Sequence, residues 1–214
     1  MTIQNNFPAN TIVAPDGTLT GDKLVENTEN NSHGLQNVSA AILSATAYTF
    51  SIYAKAGERS VIQLVIGSFV FNNLFANFNL SDGTVSSISP SGITASITPV
   101  GNGWYRCVAT STSISASAGY GPFWTVQNSP TAGRLAAYQG DGYSGVYIWG
   151  AQLAGPFPTS YIPTVASQVT RSADTASMTG SNLSSWYRAD EGHISRFAYF
   201  PERLSNAQLQ ALTS

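Results

Sequence analysis

The sequence predicts an all-β protein, built as a two-sheet antiparallel sandwich and ending in a short C-terminal helix. Three observations carry this. Apolar and polar residues alternate with a period of two, the spacing of a strand with one buried face. Clusters of Gly, Asn and Asp separate the alternating runs at close spacing. No helical period intervenes between those runs, which is the pattern of antiparallel sandwiches.

Taken in chain order, Tyr48, Phe50, Ile52 and Ala54 alternate with Thr49, Ser51, Tyr53 and Lys55 and predict the first long strand. Arg59 to Ile66 reads as a nearly continuous apolar strand. Leu74, Ala76, Phe78 and Leu80 alternate with Phe75, Asn77 and Asn79, and Asp82-Gly83 after them reads as a type I′ hairpin. Ile93, Ala95 and Ile97 alternate with Thr94, Ser96 and Thr98. Gly101-Asn102-Gly103 then makes a tight turn into a strand from Trp104 to Thr112, and Gly145 to Leu153 is a further regular strand. Ala109 to Gly121, rich in Ser, Thr, Ala and Gly, reads as a flexible loop or a strand end facing solvent. Pro156, Pro158 and Pro163 make Gly155 to Pro163 an extended covering segment. In Ser205 to Leu212, Ser205 and Gln208 form a capping box, while Leu204, Gln208, Ala211 and Leu212 share a face. A helix of one or two turns persists only when packed on something.

Composition bounds the function. The 214 residues suffice for one large all-β domain or two small ones. Only 9% are charged, nine Lys and Arg and 11 Asp and Glu, against roughly 25% in a typical soluble domain. Ser, Thr, Asn and Gly number 82, so hydroxyls and amides do the solvating. The 43% hydrophobic content, with 24 aromatics, is enough for a core. The formal net charge is −2 and the cations are scattered singly, so no nucleic-acid partner is expected. No apolar run is long enough to cross a bilayer, so no membrane insertion is expected. Met1 to Asn10 carries no signal-peptide pattern, and the sequons at Asn30, Asn37, Asn79 and Asn182 read as chance. The single cysteine, Cys107, excludes an intrachain disulfide or Cys-based zinc cluster and reads as a buried structural thiol.

Catalysis finds little support. His33 and His193 stand far apart, and no Gly-x-Ser-x-Gly elbow accompanies them. A glycosidase needs a carboxylate pair, yet Asp16, Asp82 and Asp141 each precede Gly, the chemistry of turns. Asp190-Glu191 sits in a charged junction. A non-enzyme is the expectation.

An ordered set of segments is more specific. Ala14-Pro15-Asp16-Gly17-Thr18-Leu19-Thr20 leads to Asp22-Lys23-Leu24. Tyr48 to Arg59 (YTFSIYAKAGER) and Gly103-Trp104-Tyr105-Arg106-Cys107 follow. Then come Gly140-Asp141-Gly142, Tyr147-Ile148-Trp149-Gly150-Ala151-Gln152-Leu153, Pro158 to Thr164 (PTSYIPT), and Val169-Thr170-Arg171 with Asp174. Across roughly residues 10 to 175 this set resembles a jelly-roll domain of tailed-bacteriophage and prophage structural proteins, including tail-fibre and head-fibre proteins. That domain is similar to concanavalin-like carbohydrate-binding modules. Ser184-Ser185-Trp186-Tyr187 and Gly192 to Leu212 resemble the two ends of a second concanavalin-like domain whose middle is missing. The expected organisation is therefore a jelly-roll sandwich over 1–175 and an extension over 176–214. Too short for its own core, the extension is expected to pack on that domain or on a neighbouring subunit.

The resemblance implies a virion structural protein, a fibre or capsid-attached decoration, that contacts host cell-surface polysaccharide and other virion proteins. It also implies a homo-oligomer, a trimer if a fibre, although no heptad seam argues for one. Assembly without glycan binding, or a carbohydrate-binding module of an enzyme, are the alternatives. A structural calcium is implied at Asp16, Asp22 or Asp141, without EF-hand-like spacing; no other cofactor is expected. Sugars lay C–H faces on aromatic rings and need polar partners for their hydroxyls. If Phe50, Ile52, Tyr105 and Cys107 point inward, then Tyr53, Lys55, Trp104 and Arg106 point to the opposite face. Tyr53, Lys55 and Arg106 are accordingly candidate glycan contacts, with the loop aromatics Tyr120, Trp124, Tyr138 and Tyr143. Trp104, Tyr147 and Trp149 lie within strand motifs and read as packing residues.

Overall fold

The computed structural model describes residues 2–3, 8–36 and 40–163. The expected extension 176–214, with the Ser205 to Leu212 helix and His193, lies outside them. In chain order the elements are β1 (Thr2–Ile3), β2 (Asp22–Val25), β3 (Asn30–Asn31), β4 (His33–Gln36), β5 (Ala40–Ile42), β6 (Ala47–Ala56) and β7 (Val61–Ile66). A helical turn α1 (Ser68–Phe71) precedes β8 (Leu74–Asn79), β9 (Thr84–Ile88), β10 (Ile93–Gly101), β11 (Trp104–Thr112), β12 (Ser117–Tyr120), β13 (Phe123–Gln127), β14 (Tyr138–Gln139) and β15 (Gly145–Ala154). The fold is all-β. A six-stranded sheet runs β1-β4-β13-β7-β8-β9 and a five-stranded sheet runs β10-β11-β6-β15-β2, with two small ribbons, β12-β5 and β14-β3. The sheets are antiparallel apart from the short β1–β4 pairing.

Alternation decides the core. Phe50, Ile52 and Ala54 of β6 join Cys107 and Ala109 of β11 and Val146 and Ile148 of β15. From the other sheet come Ile62, Leu64 and Ile66 of β7, Ala76 and Phe78 of β8, and Trp124 and Val126 of β13. Both sheets thus share one apolar cluster, and each fully buried large side chain contributes about 1.5–3 kcal/mol by leaving water. Burial pushes the Cys107 thiol well above its ordinary pKa, which keeps it protonated and inert.

Several local expectations change. Asn79 pairs with Thr84, so the loop at Asp82-Gly83 has four residues, and only Gly83 is left-handed (φ 70°). The two-residue turn with both φ positive falls instead at Asn102 (52°) and Gly103 (78°), between the paired Gly101 and Trp104. Strand β15 carries a register shift between Trp149 and Gln152, where Gly150 takes φ 61°. The turn α1 was not legible in the sequence; it ends on Asn72 and Asn73, both left-handed (φ 58° and 56°).

The polar faces are also more covered than alternation suggests. On β6, Thr49 and Ser51 are buried. The Thr49 N–H donates to the Gly155 carbonyl (3.1 Å), so the proline-bearing segment after β15 lies over this part of the sheet. On the six-stranded sheet, Gln63, Asn77, Thr125 and Gln127 are buried beneath residues 128–137. Asn77 Nδ2 donates to the carbonyls of Pro130 (3.1 Å) and Ala132 (2.8 Å), and Gln63 Nε2 donates to Gly133 (2.9 Å). That strap closes the sheet face on which Gln63 and Asn77 lie.

Candidate functional site

The outward face of the five-stranded sheet is ordered in rows by its register. One row runs Thr98, Arg106, Tyr53 and Trp149 across β10, β11, β6 and β15. The next runs Trp104, Lys55, Tyr147 and Lys23 across β11, β6, β15 and β2. Paired residues on adjacent antiparallel strands share a face. Strand alternation therefore brings Tyr53, Lys55 and Arg106 to one surface, as the sequence led us to expect.

The rings make a partly exposed cluster. Tyr53 and Trp149 meet edge to face with centroids 5.2 Å apart, and Tyr161 of the covering segment packs on Trp149 at 4.3 Å. The Arg106 guanidinium lies 5.6 Å from the Tyr53 ring. Its Nη2 donates to the Thr159 carbonyl and to Ser51 Oγ (3.4 Å), while its Nε is buried with no partner among the described residues. Trp149 Nε1 donates to Thr20 Oγ1 (3.0 Å), which fixes the indole. Gly150 lets the rings close: a Cβ there would stand 3.2 Å from both Tyr161 and Tyr53. Lys55 Nζ donates to the Asn102 carbonyl (2.7 Å). At the neighbouring edge Lys23 sits 4.6 Å from the Tyr143 ring and 2.7 Å from Glu58.

The other expected aromatics separate from this surface. Tyr143 is exposed, but at the β2 edge rather than in the cluster. Tyr120 is a core residue, not a contact: its ring packs against Phe50 and Phe71, and its hydroxyl accepts from Gly67 N–H (2.9 Å). Trp124 is also core, 1% exposed, because its position in β13 faces the opposite sheet. Tyr138 is buried over His33, with ring centroids 4.5 Å apart. The packing role read for Trp104 agrees with its burial, where Nε1 donates to the Val13 carbonyl (3.1 Å). For Trp149 and Tyr147 that reading is corrected, since both are half-exposed on the outward face. Tyr161 was missed altogether. The alternation of Val146 and Ile148 with Tyr147 and Trp149 was the signal for the first two; Tyr161 follows no period.

A second polar cluster went unseen in the sequence. Glu26 is 1% exposed, and each of its oxygens is occupied. Oε1 accepts from Arg59 Nη2 (2.6 Å) and Asp141 N–H (3.0 Å); Oε2 accepts from Arg59 Nε (2.8 Å) and the Tyr138 hydroxyl (2.7 Å). Desolvation, reinforced by the hydrogen bond to Glu26, pushes the Tyr138 phenol far above its ordinary pKa. Hydrogen bonds to Glu26 likewise raise Arg59. With no open face on the carboxylate, this is a clamp tying the residue after β2, the segment before β7, β14 and the loop that follows β14 together.

Of the three acids expected to hold calcium, Asp16 and Asp141 serve local turns and Asp22 ties down a distant backbone N–H. Asp16 Oδ1 accepts from Thr18 N–H and Oγ1 (2.9 and 2.7 Å), and Asp22 Oδ1 accepts from Asn10 N–H (2.9 Å). Asp141 accepts from Tyr143 N–H, Ser144 N–H and Ser144 Oγ (2.8, 2.7 and 2.6 Å), and the Ser144 bonds hold its pKa well below the ordinary carboxylate value. Among the described residues no three His, Cys, Asp or Glu side chains gather into a group that could hold a metal ion. Likewise, no described helix is long and apolar enough to cross a membrane. A scan of protein-family models finds no match to this chain, and a search of curated proteins finds none.

Proposed function

We propose that this chain is a non-enzymatic structural protein of a bacteriophage virion, a fibre or capsid-attached decoration, whose domain contacts host cell-surface glycans. The fold proposed is a jelly roll. Nested antiparallel pairing supports it: β2 with β15, β4 with β13, β6 with β11, and β7 with β8, the inner pairs enclosed by the outer ones in chain order. Folding such a nested ribbon over itself gives two Greek keys. The virion assignment rests on the ordered motif set of the sequence.

The observation that carries glycan contact is the row of Tyr53, Trp149 and Tyr161 rings beside Arg106 and Lys55 on a partly exposed sheet face. Rings supply flat apolar platforms for sugar C–H faces, and the cations supply donors to hydroxyls. A glycan array of bacterial polysaccharides, probed with the recombinant chain, tests this. Binding that is lost in Trp149→Ala supports the reading; silence across the array, or cleavage of any polysaccharide, overturns it.

One observation favours the second reading, virion assembly without glycan affinity. Phe69, Leu43 and Ile114 are 88%, 67% and 53% exposed. Their loops are stitched together: Ile114 N–H donates to Val70, Ser115 Oγ to Phe69 and Ser44 Oγ to Ile114. A groove of ≈ 460 Å³ lined by Phe71, Leu74, Ile93 and Thr112 adjoins Ile114. Apolar tips of this kind suit burial against a neighbouring subunit. Stable homo-oligomers in light scattering, without array binding, would favour that reading.

A further inference from the structure

Charge on the outward sheet face points to the class of glycan, an inference that rests on the glycan-contact reading. The described residues include five Lys and Arg: Lys23, Lys55, Arg59, Arg106 and Arg134. Three of them, Lys23, Lys55 and Arg106, stand on this one face, at positions fixed by the β2, β6 and β11 registers. The outward positions paired with them, Thr98, Tyr53, Trp104 and Tyr147, include no acid. Lys23 is already neutralised by Glu58 at 2.7 Å. Lys55 and Arg106 are diagonal neighbours on paired strands, and among the described residues neither has a carboxylate partner. Each has only neutral acceptors: Lys55 uses one of its three donors on Asn102, and Arg106 leaves a buried Nε–H unused. The Nε–H is enclosed and is not itself offered to a ligand; what the pair presents is two positive charges without a neighbouring carboxylate, and charge-assisted bonds to an anion are the strong interaction open to them.

We propose that this face takes a glycan bearing an anionic group, carboxylate or phosphate, held between Lys55 and Arg106 while the sugar ring lies on Tyr53 and Trp149. A neutral sugar would leave both cations uncompensated beside the bound ring. The test is titration of the full chain with polygalacturonate, with its carboxyl-reduced neutral form, and with poly(ribitol phosphate). The expected result is at least about tenfold tighter binding to an anionic polymer than to the neutral one, weakening as salt is raised. The carboxylate and phosphate arms identify which anion is read. Lys55→Gln should lower that affinity roughly tenfold at unchanged melting temperature, whereas Arg134→Gln, away from the face, leaves it unchanged. Equal affinity for neutral and anionic polymers overturns this inference while leaving glycan contact standing. No binding to any of the three overturns this inference, while glycan contact itself falls only with silence across the array, and undiminished binding by Lys55→Gln overturns the assignment to this face.

Discussion

Replacing Trp124 by Ala separates core from surface among the aromatics. Trp124 is 1% exposed and stands between Leu35 of β4 and Leu64 of β7 in the sheet register. Its removal leaves an indole-sized void in a cluster to which both sheets contribute. Buried Trp or Phe to Ala changes cost about 3–5 kcal/mol. In a domain of this size each kcal/mol shifts Tm by roughly 2–4 °C, so a fall of about 6–20 °C is expected. Trp149→Ala instead loses two ring contacts, with Tyr53 and Tyr161, and one hydrogen bond. At about 0.5–1.5 kcal/mol for each aromatic pair, it is the milder change. Calorimetry of both variants, with binding measured on each folded protein, checks the contrast. A Trp124→Ala protein that melts like the wild type but has lost glycan binding would refute the assignment of Trp124 to the core.

Three further outcomes follow from the site. Glu26→Ala strands the Arg59 guanidinium and the Tyr138 hydroxyl and should cost about 3–5 kcal/mol in denaturant titration, the range for breaking a buried pair from one side. Asp141 has its folded pKa depressed. Its contribution is therefore whole above the ordinary value of about 3.9 and is lost as pH falls through the lower folded value; Asp141→Asn should flatten that acid limb of the stability profile. Gly150→Val should displace the Tyr53 and Tyr161 rings, because its Cβ meets both at 3.2 Å in a backbone with φ 61°; altered near-ultraviolet circular dichroism checks it.

The sequence made strands legible where one period governed them. Phe50, Ile52 and Ala54 are core because they alternate, and Cys107 is buried for the same reason. The same alternation brought Tyr53, Lys55 and Arg106 to one face. It failed where a distant segment covers a face. Nothing near Gln63, Asn77 or Thr125 in sequence announces that residues 128–137 will lie over them. Tyr120 and Tyr138 looked like loop aromatics because Gly-rich stretches flank them, yet each belongs to a short strand whose ring turns inward. Glu26 stood alone in sequence; Arg59, Tyr138 and Asp141, which complete its clamp, come from three other segments of the chain. Tyr161 joins the ring cluster only because the segment after β15 folds back over the sheet.

Saturation-transfer NMR on the chain with a polysaccharide selected from the array tests glycan contact through the outward face most directly. Irradiation of the aromatic protons should saturate the sugar ring C–H protons, and the transfer should vanish in Trp149→Ala while Trp104 and Trp124 remain packed. Transfer that persists undiminished in Trp149→Ala, or no transfer with any polysaccharide, would contradict the account.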